Sequence, residues 1–175
     1  MIRSFKKYHP KLGQGVYIDE QSTVIGDVVI GDDSSVWPQT VIRGDINPIR
    51  IGKRTNIQDG SIVHVTHKSE FSAGYSCNIG DDVTIGHSCI IHACKIENLS
   101  LVGMGSVILD GSIISSEVMI GAKSLVPSGK RLESGFLYLG SPCKKIRPLN
   151  EKERSFLKYS AEHYAKNKDM FLERS

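Results

Sequence analysis

The stretch Ile57-Gln58-Asp59-Gly60-Ser61-Ile62-Val63-His64-Val65-Thr66-His67, resumed at Ile79-Gly80-Asp81-Asp82-Val83-Thr84-Ile85-Gly86-His87-Ser88-Cys89-Ile90-Ile91-His92, decides the fold. Ile57, Val63, Ile79, Ile85 and Ile91 each open a unit of six residues. Three of the six histidines, His64, His87 and His92, lie inside these units. Upstream, the same spacing joins Ile18, Val24, Ile30, Val36 and Ile42. A period of six is neither the 3.6 of a helix nor the alternation of a long strand. It is the hexapeptide signature of a parallel β-helix, in which each unit is one short flat strand and a corner, and three units make one triangular coil. The opener points inward. The fifth residue, as at Ser22, Ser34 and Thr40, is mostly small and lets the corner close.

Downstream the period pauses at Asn47-Pro48-Ile49-Arg50 and resumes at Ile51. It breaks at Ser69–Asn78, a Gly- and Ser-containing stretch that reads as a loop projecting from a corner. After Ile91 it slips by one residue to Ile96, then runs through Val102, Ile108, Ile114, Ile120 and Val126. The expected fold is all-β: a parallel β-helix shaped as a triangular prism, with a C-terminal α-helix. Residues 1–17 form an N-terminal lead-in and cap, 18–147 the β-helix, and 148–175 the helix that packs on the prism. Asn150 followed by Glu153 predicts an N-cap and capping box. Phe156, Leu157, Ala161, Tyr164, Ala165, Phe171 and Leu172 follow at near-helical spacing.

Composition narrows the function. With 175 residues, one domain with a real core is expected. The net charge is +3, without basic runs interleaved with aromatics, which argues against nucleic acid. No segment has the length and hydropathy of a membrane span or the apolar core of a signal peptide, so a cytoplasmic location is expected. Cys77, Cys89, Cys94 and Cys143 form no C-x-x-C pair and read as free, buried thiols. Zinc ligation by Cys89 or Cys94 ranks below ligation by histidine.

Counting units locates the histidines. With Ile18 opening unit zero, Val63 opens the seventh and Ile91 the tenth, and units three apart share a face. His64 and His92 are both second residues, so they stack on adjacent coils about 4.8 Å apart. Arg43 lies one coil below in that column, which Ile25 and Leu109 flank. His87 is a third residue on a different face, with Asp59 one coil beneath it and Gln58 beside that. A threefold assembly of prisms would bring one face of each subunit against another face of the next, so that three histidines converge at each interface. Three His ligands with an open position suit a catalytic metal, and Asp59 and Gln58 suit the orientation of a ligand or of metal-bound hydroxide. His9, His67 and His163 read as ordinary surface histidines.

Gly44-Asp45-Ile46-Asn47-Pro48-Ile49-Arg50-Ile51-Gly52-Lys53-Arg54-Thr55-Asn56-Ile57-Gln58-Asp59, continued to His67 and followed by Ile85-Gly86-His87-Ser88-Cys89-Ile90-Ile91-His92-Ala93-Cys94, resembles the gamma-class carbonic anhydrase family, in its compact bacterial branch of YrdA- and PaaY-like proteins. The resemblance runs from about residue 10 to the tail helix. It implies a left-handed β-helix, and a homotrimer with a divalent metal shared between subunits at each interface. Zinc is the expected metal, with Fe(II) and Co(II) also suited. It implies that His64, His87 and His92 are the metal ligands, and that Arg43 and Asp45 form an intersubunit pair. Asn56 and Gln58 match hydroxide-positioning amides, Asp59 the acid beside them, and Tyr164 a tyrosine brought in by the C-terminal helix. The implied enzyme is a carbonic anhydrase (a carbonate dehydratase, hence a lyase) in which metal-bound hydroxide attacks carbon dioxide to give bicarbonate. The chain departs from the best-studied gamma enzymes in lacking a long acidic loop. Ile46 and Asn47 follow Asp45, and Ser69–Asn78 carries only Glu70, so proton export is expected to be slow. Two rivals remain. Gly140-Ser141-Pro142-Cys143-Lys144-Lys145-Ile146-Arg147 resembles the segment that meets coenzyme A in hexapeptide acyltransferases, which need one His as base and no metal. The other rival is a non-catalytic metal-binding trimer.

Overall fold

A computed structural model describes residues 1–173; Arg174 and Ser175 of the expected C-terminal segment lie outside the described residues. The chain winds into a parallel β-solenoid of about eight turns. The first face holds the N-terminal halves of Thr23–Ile30 and Val41–Ile51, then Ile62–His64, Ile90–His92, Val107–Ile108 and Leu125–Val126. The second holds the C-terminal halves of the same two long strands, then Cys77–Ile79, Lys95–Ile96, Ile113–Ile114 and Arg131–Leu132. The third face runs from Tyr17–Ile18 through Ser35–Val36, Asn56–Ile57, Thr84–Ile85, Leu101–Val102 and Met119–Ile120 to Phe136–Gly140.

The unit openers form the core. Val24, Ile30, Val36, Ile42, Ile57, Val63, Ile85, Ile91, Ile96, Val102, Ile108, Ile114, Ile120 and Val126 are all buried in one continuous cluster. Each such side chain stabilises by about 1.5–3 kcal/mol relative to exposure. The fifth residues are more than small. Ser34, Thr40, Thr55, Ser61, Ser100 and Ser106 donate their hydroxyls to carbonyls of the next coil, as Thr40 does to Gln58 at 3.0 Å. Cys89 takes the same place with its thiol, 3.2 Å from the Gly103 carbonyl. At the fourth position the backbone turns left-handed, with φ of 57° at Asp33, 60° at Gln39 and 57° at Asp82. Asp accepts that conformation more readily than most residues, and Gly most readily of all.

The interruptions behave differently from the sequence reading in one respect. Ile49 and Arg50 already pair with Val28 and Val29, so the unpaired stretch is 45–48. Ile49 belongs to the core because Val28, a fifth residue, is buried opposite it. The lead-in also pairs: Ile2–Arg3 and Lys11–Leu12 lie parallel to Thr23–Ile30 at the N-terminal end of the stack.

At the other end, Phe136–Gly140 and Cys143–Pro148 form an antiparallel hairpin. Helix α1 (Glu151–Leu172) follows, and its capping box is complete: the Asn150 side chain accepts from the Glu153 N–H and Glu153 accepts from the Asn150 N–H. The helix packs along the third face. Ser160 meets Thr84 at 2.9 Å, and Tyr164 and Phe171 pack on Trp37. Lys168 is buried against the N-terminal coils of the prism, 3.2 Å from Asp33. No helix among the described residues is long and apolar enough to cross a membrane.

Candidate metal centre

Parallel register brings His64 and His92 side by side on the first face. His64 Nδ1 stands 3.2 Å from His92 Nε2. The other nitrogen of each ring faces a carboxylate: His64 Nε2 is 3.1 Å from Asp45 Oδ1, and His92 Nδ1 is 2.5 Å from Asp110 Oδ1. Carboxylates only accept, so the protons sit on His64 Nε2 and His92 Nδ1 in the neutral rings. Burial pushes the His64 pKa down, against the hydrogen bond His64 donates to Asp45, and the nearby Arg43 acts in the same direction as burial. The two remaining nitrogens then stand 3.2 Å apart with no proton between them. That repulsive arrangement fits a cation. Two nitrogens sharing one tetrahedral zinc at 2.0–2.1 Å stand about 3.3 Å apart.

Both carboxylates are themselves braced. Asp45 pairs with Arg43 of its own chain. Burial pushes the Asp45 pKa up, but the hydrogen bonds from His64 and Arg43 outweigh it and hold it below the usual carboxylate range. Asp110 accepts from the Thr66 hydroxyl, and there too burial is outweighed, by Thr66 and His92. Asp110 and Thr66 were not singled out from the sequence. The signal was present: one coil above His92 the column reaches Leu109, and Asp110 is the next residue, third in the unit that Ile108 opens.

His87 lies on the third face, as the count places it, with Nδ1 2.9 Å from Asp59 Oδ2. Asp59 thereby holds the Nδ1 proton and leaves the Nε2 lone pair facing out. His87 lines a cavity of about 430 Å³ with Gln58, Met104, Phe156 and Tyr164. Gln58 Nε2 donates to Asn56 Oδ1 at 3.0 Å, and Asn56 Nδ2 donates to Thr84 Oγ1 at 3.0 Å. Asn56 is 1% exposed, so it anchors Gln58 from beneath and does not itself face the cavity. Tyr164 is partly buried, and burial, with Asp59 nearby, raises its pKa.

The two groups of histidines stay on separate faces. Among the described residues of one chain, no cluster of three or more His, Cys, Asp or Glu side chains is arranged to hold a metal. All four cysteines are free and buried. Burial pushes the Cys89 thiol up to about 11, and a hydrogen bond with Cys77, reinforced by burial, raises Cys94. Neither is poised as a thiolate ligand. His9 bonds Ser4, His163 stacks on Tyr159, and His67 is exposed on the loop.

Residues 9–44 match the family described as bacterial transferase hexapeptide (six repeats). The chain is 55% identical over 174 residues to protein YrdA of Escherichia coli strain K12, covering 99% of this chain and 95% of that one. It is 41% identical over 155 residues to the mitochondrial gamma carbonic anhydrase 2 of Arabidopsis thaliana, covering 89% of this chain and 56% of the plant protein. The crystal structure of a hexapeptide transferase family protein from Anaplasma phagocytophilum superposes with a TM-score of 0.91 at 38% identity, covering 97% of each chain. The chain therefore belongs to the hexapeptide-repeat family that includes YrdA and the gamma carbonic anhydrases.

Proposed function

We propose that the protein is a metal-dependent hydratase of the gamma-carbonic-anhydrase type, interconverting carbon dioxide and bicarbonate. In this reading it works as a homotrimer in which His64 and His92 of one subunit meet His87 of the next. The observation that carries the reading is the 3.2 Å approach of His64 Nδ1 to His92 Nε2, with the other nitrogen of each ring facing a carboxylate. His87 adds a third nitrogen whose outward orientation is set by Asp59. A divalent metal held by these three rings, zinc by preference with Fe(II) or Co(II) as alternatives, supplies the Lewis acidity that brings the pKa of a coordinated water to about 7.

The rest of the chemistry belongs to the chain. Asp45 and Asp110 fix the tautomer and plane of the two paired rings. Asn56 holds the Gln58 amide nitrogen, and Gln58 lines the cavity beside His87. Leu101, Met104 and Phe156 give that cavity an apolar wall suited to an uncharged substrate. Exposed Ile62 and Ile90 flank the paired rings on the first face, and exposed Met104 neighbours His87 on the third. Burying the first set against the second would join the two half-sites, and a threefold ring closes this association. Glu70 is the only acid on the 67–76 loop, so proton transfer to buffer is expected to limit turnover. Four buried free thiols suit a reducing cytoplasm.

Acyl transfer is the second reading. It is supported by the family name of the Anaplasma relative and by the exposed Lys144, Lys145 and Arg147 of the terminal hairpin. There His87, oriented by Asp59, would serve as general base. A metal-binding trimer without catalysis is the third. The deciding experiment is elemental mass spectrometry on untagged protein purified without chelator, followed by a carbon dioxide hydration assay. One equivalent of metal per chain with hydration activity is expected. No metal, even after anaerobic reconstitution, would transfer the assignment to acyl transfer, and metal without hydration would leave the non-catalytic trimer.

A further inference from the structure

The two interruptions of the hexapeptide period converge on one residue, Thr66. From the first, Asn47 Nδ2 donates to the Thr66 carbonyl at 2.6 Å. At the far end of the second, Tyr75 exchanges both backbone hydrogen bonds with Thr66, at 3.1 and 3.0 Å. Thus fixed, Thr66 donates its hydroxyl to Asp110 Oδ2, while Asp110 Oδ1 accepts from His92 Nδ1 at 2.5 Å.

We propose that Asp110, braced by Thr66, is the positioning residue that holds His92 Nε2 toward His64, and that the 67–76 excursion serves to set this brace. The inference rests on the metal reading above. A histidine on a short strand is free to rotate about its second side-chain torsion, and only a bond to Nδ1 fixes which way Nε2 faces. Asp110 supplies that bond. Its own rotamer is fixed because both of its oxygens are engaged by groups on different coils, Thr66 and His92. His64 has the matching device in Asp45 and Arg43, built within one strand. His92 instead depends on a residue that two insertions have to place. Loss of such a partner weakens metal affinity while leaving the ligands themselves intact.

The test is the affinity of the full-length protein for Co(II) and zinc, by chelator competition, together with the visible absorption of the Co(II) form. Asp110→Ala is expected to weaken binding by about 10- to 100-fold and to alter the Co(II) bands. Thr66→Val should move both readouts in the same direction, and Thr66→Ser, which restores the hydroxyl, should return them to wild type. A merely structural role would lower the thermal midpoint of the metal-free protein without changing affinity or spectrum. Affinity within about twofold of wild type in Asp110→Ala overturns the inference. If Asp110→Ala does not fold, equal affinity of Thr66→Val and Thr66→Ser overturns it. Wild-type protein that takes up no metal overturns the metal reading and this inference together, whereas normal uptake with unchanged variants overturns only this inference.

Discussion

His87 Nδ1 lies 2.9 Å from Asp59 Oδ2 on the third face of the prism, while His64 and His92 pair in register on the first. The three-histidine centre proposed above would therefore need His87 from one chain and the His64–His92 pair from another. Asp59 orients its histidine as Asp45 and Asp110 orient theirs, so each of the three rings has one nitrogen held by a carboxylate.

This separation makes a complementation test sharp. His87→Ala should lose metal as completely as His64→Ala, although the two residues sit on different faces. Mixing the two variants under conditions that exchange subunits should restore a fraction of intact sites. Metal content and hydration rate after mixing report the outcome, and no recovery despite proven subunit exchange would show that each chain holds its site alone.

Glycines lining the corners should divide by cause. A Cβ on Gly52 would fall 2.5–2.6 Å from the Gly80 carbonyl group, backbone that cannot move without opening the stack. A Cβ on Gly129 meets nothing within 4 Å, and only its φ of +68° opposes substitution. Gly129→Ala should cost about 1 kcal/mol. Gly52→Ala should cost clearly more, about 3 kcal/mol or above. Denaturant unfolding of the two variants compares them directly.

Helix α1 depends on its cap. Asn150→Ala should destabilise the helix by about 1 kcal/mol. Glu153 bonds Arg147 first and the Asn150 backbone second, and its pKa is lowered to about 2. A depressed carboxylate contributes stability that is fully present above its unfolded pKa of about 4.3 and is lost as pH falls toward 2. Glu153→Gln should flatten the pH dependence of helix docking between those limits, measured by Trp37 fluorescence, since the helix packs on that ring.

The thiols should be silent in the native state. Cys89 is buried with its pKa pushed up to about 11, and Cys77, Cys94 and Cys143 are buried with it. A thiol reagent at pH 8 should react slowly with folded protein and titrate all four cysteines in denaturant. Rapid reaction of any one without denaturant would contradict this packing.

The six-residue recurrence of Ile and Val determined the coil by itself, because opener and corner are properties of local backbone geometry that repeat whatever lies above or below. Counting that repeat also placed His92 beside His64 and Asp59 beneath His87, and the Asn150–Glu153 pair marked where the helix begins. Tertiary structure decided what counting does not reach. Ile49 enters the core because Val28 faces it across the interrupted strand. Thr66 reaches Asp110 because an excursion closes back on Tyr75, and Lys168 is buried because Asp33 waits at the end of the helix. These are pairings between residues whose separation the period does not set, so their energy depends on how side chains of different coils and of the helix meet in space.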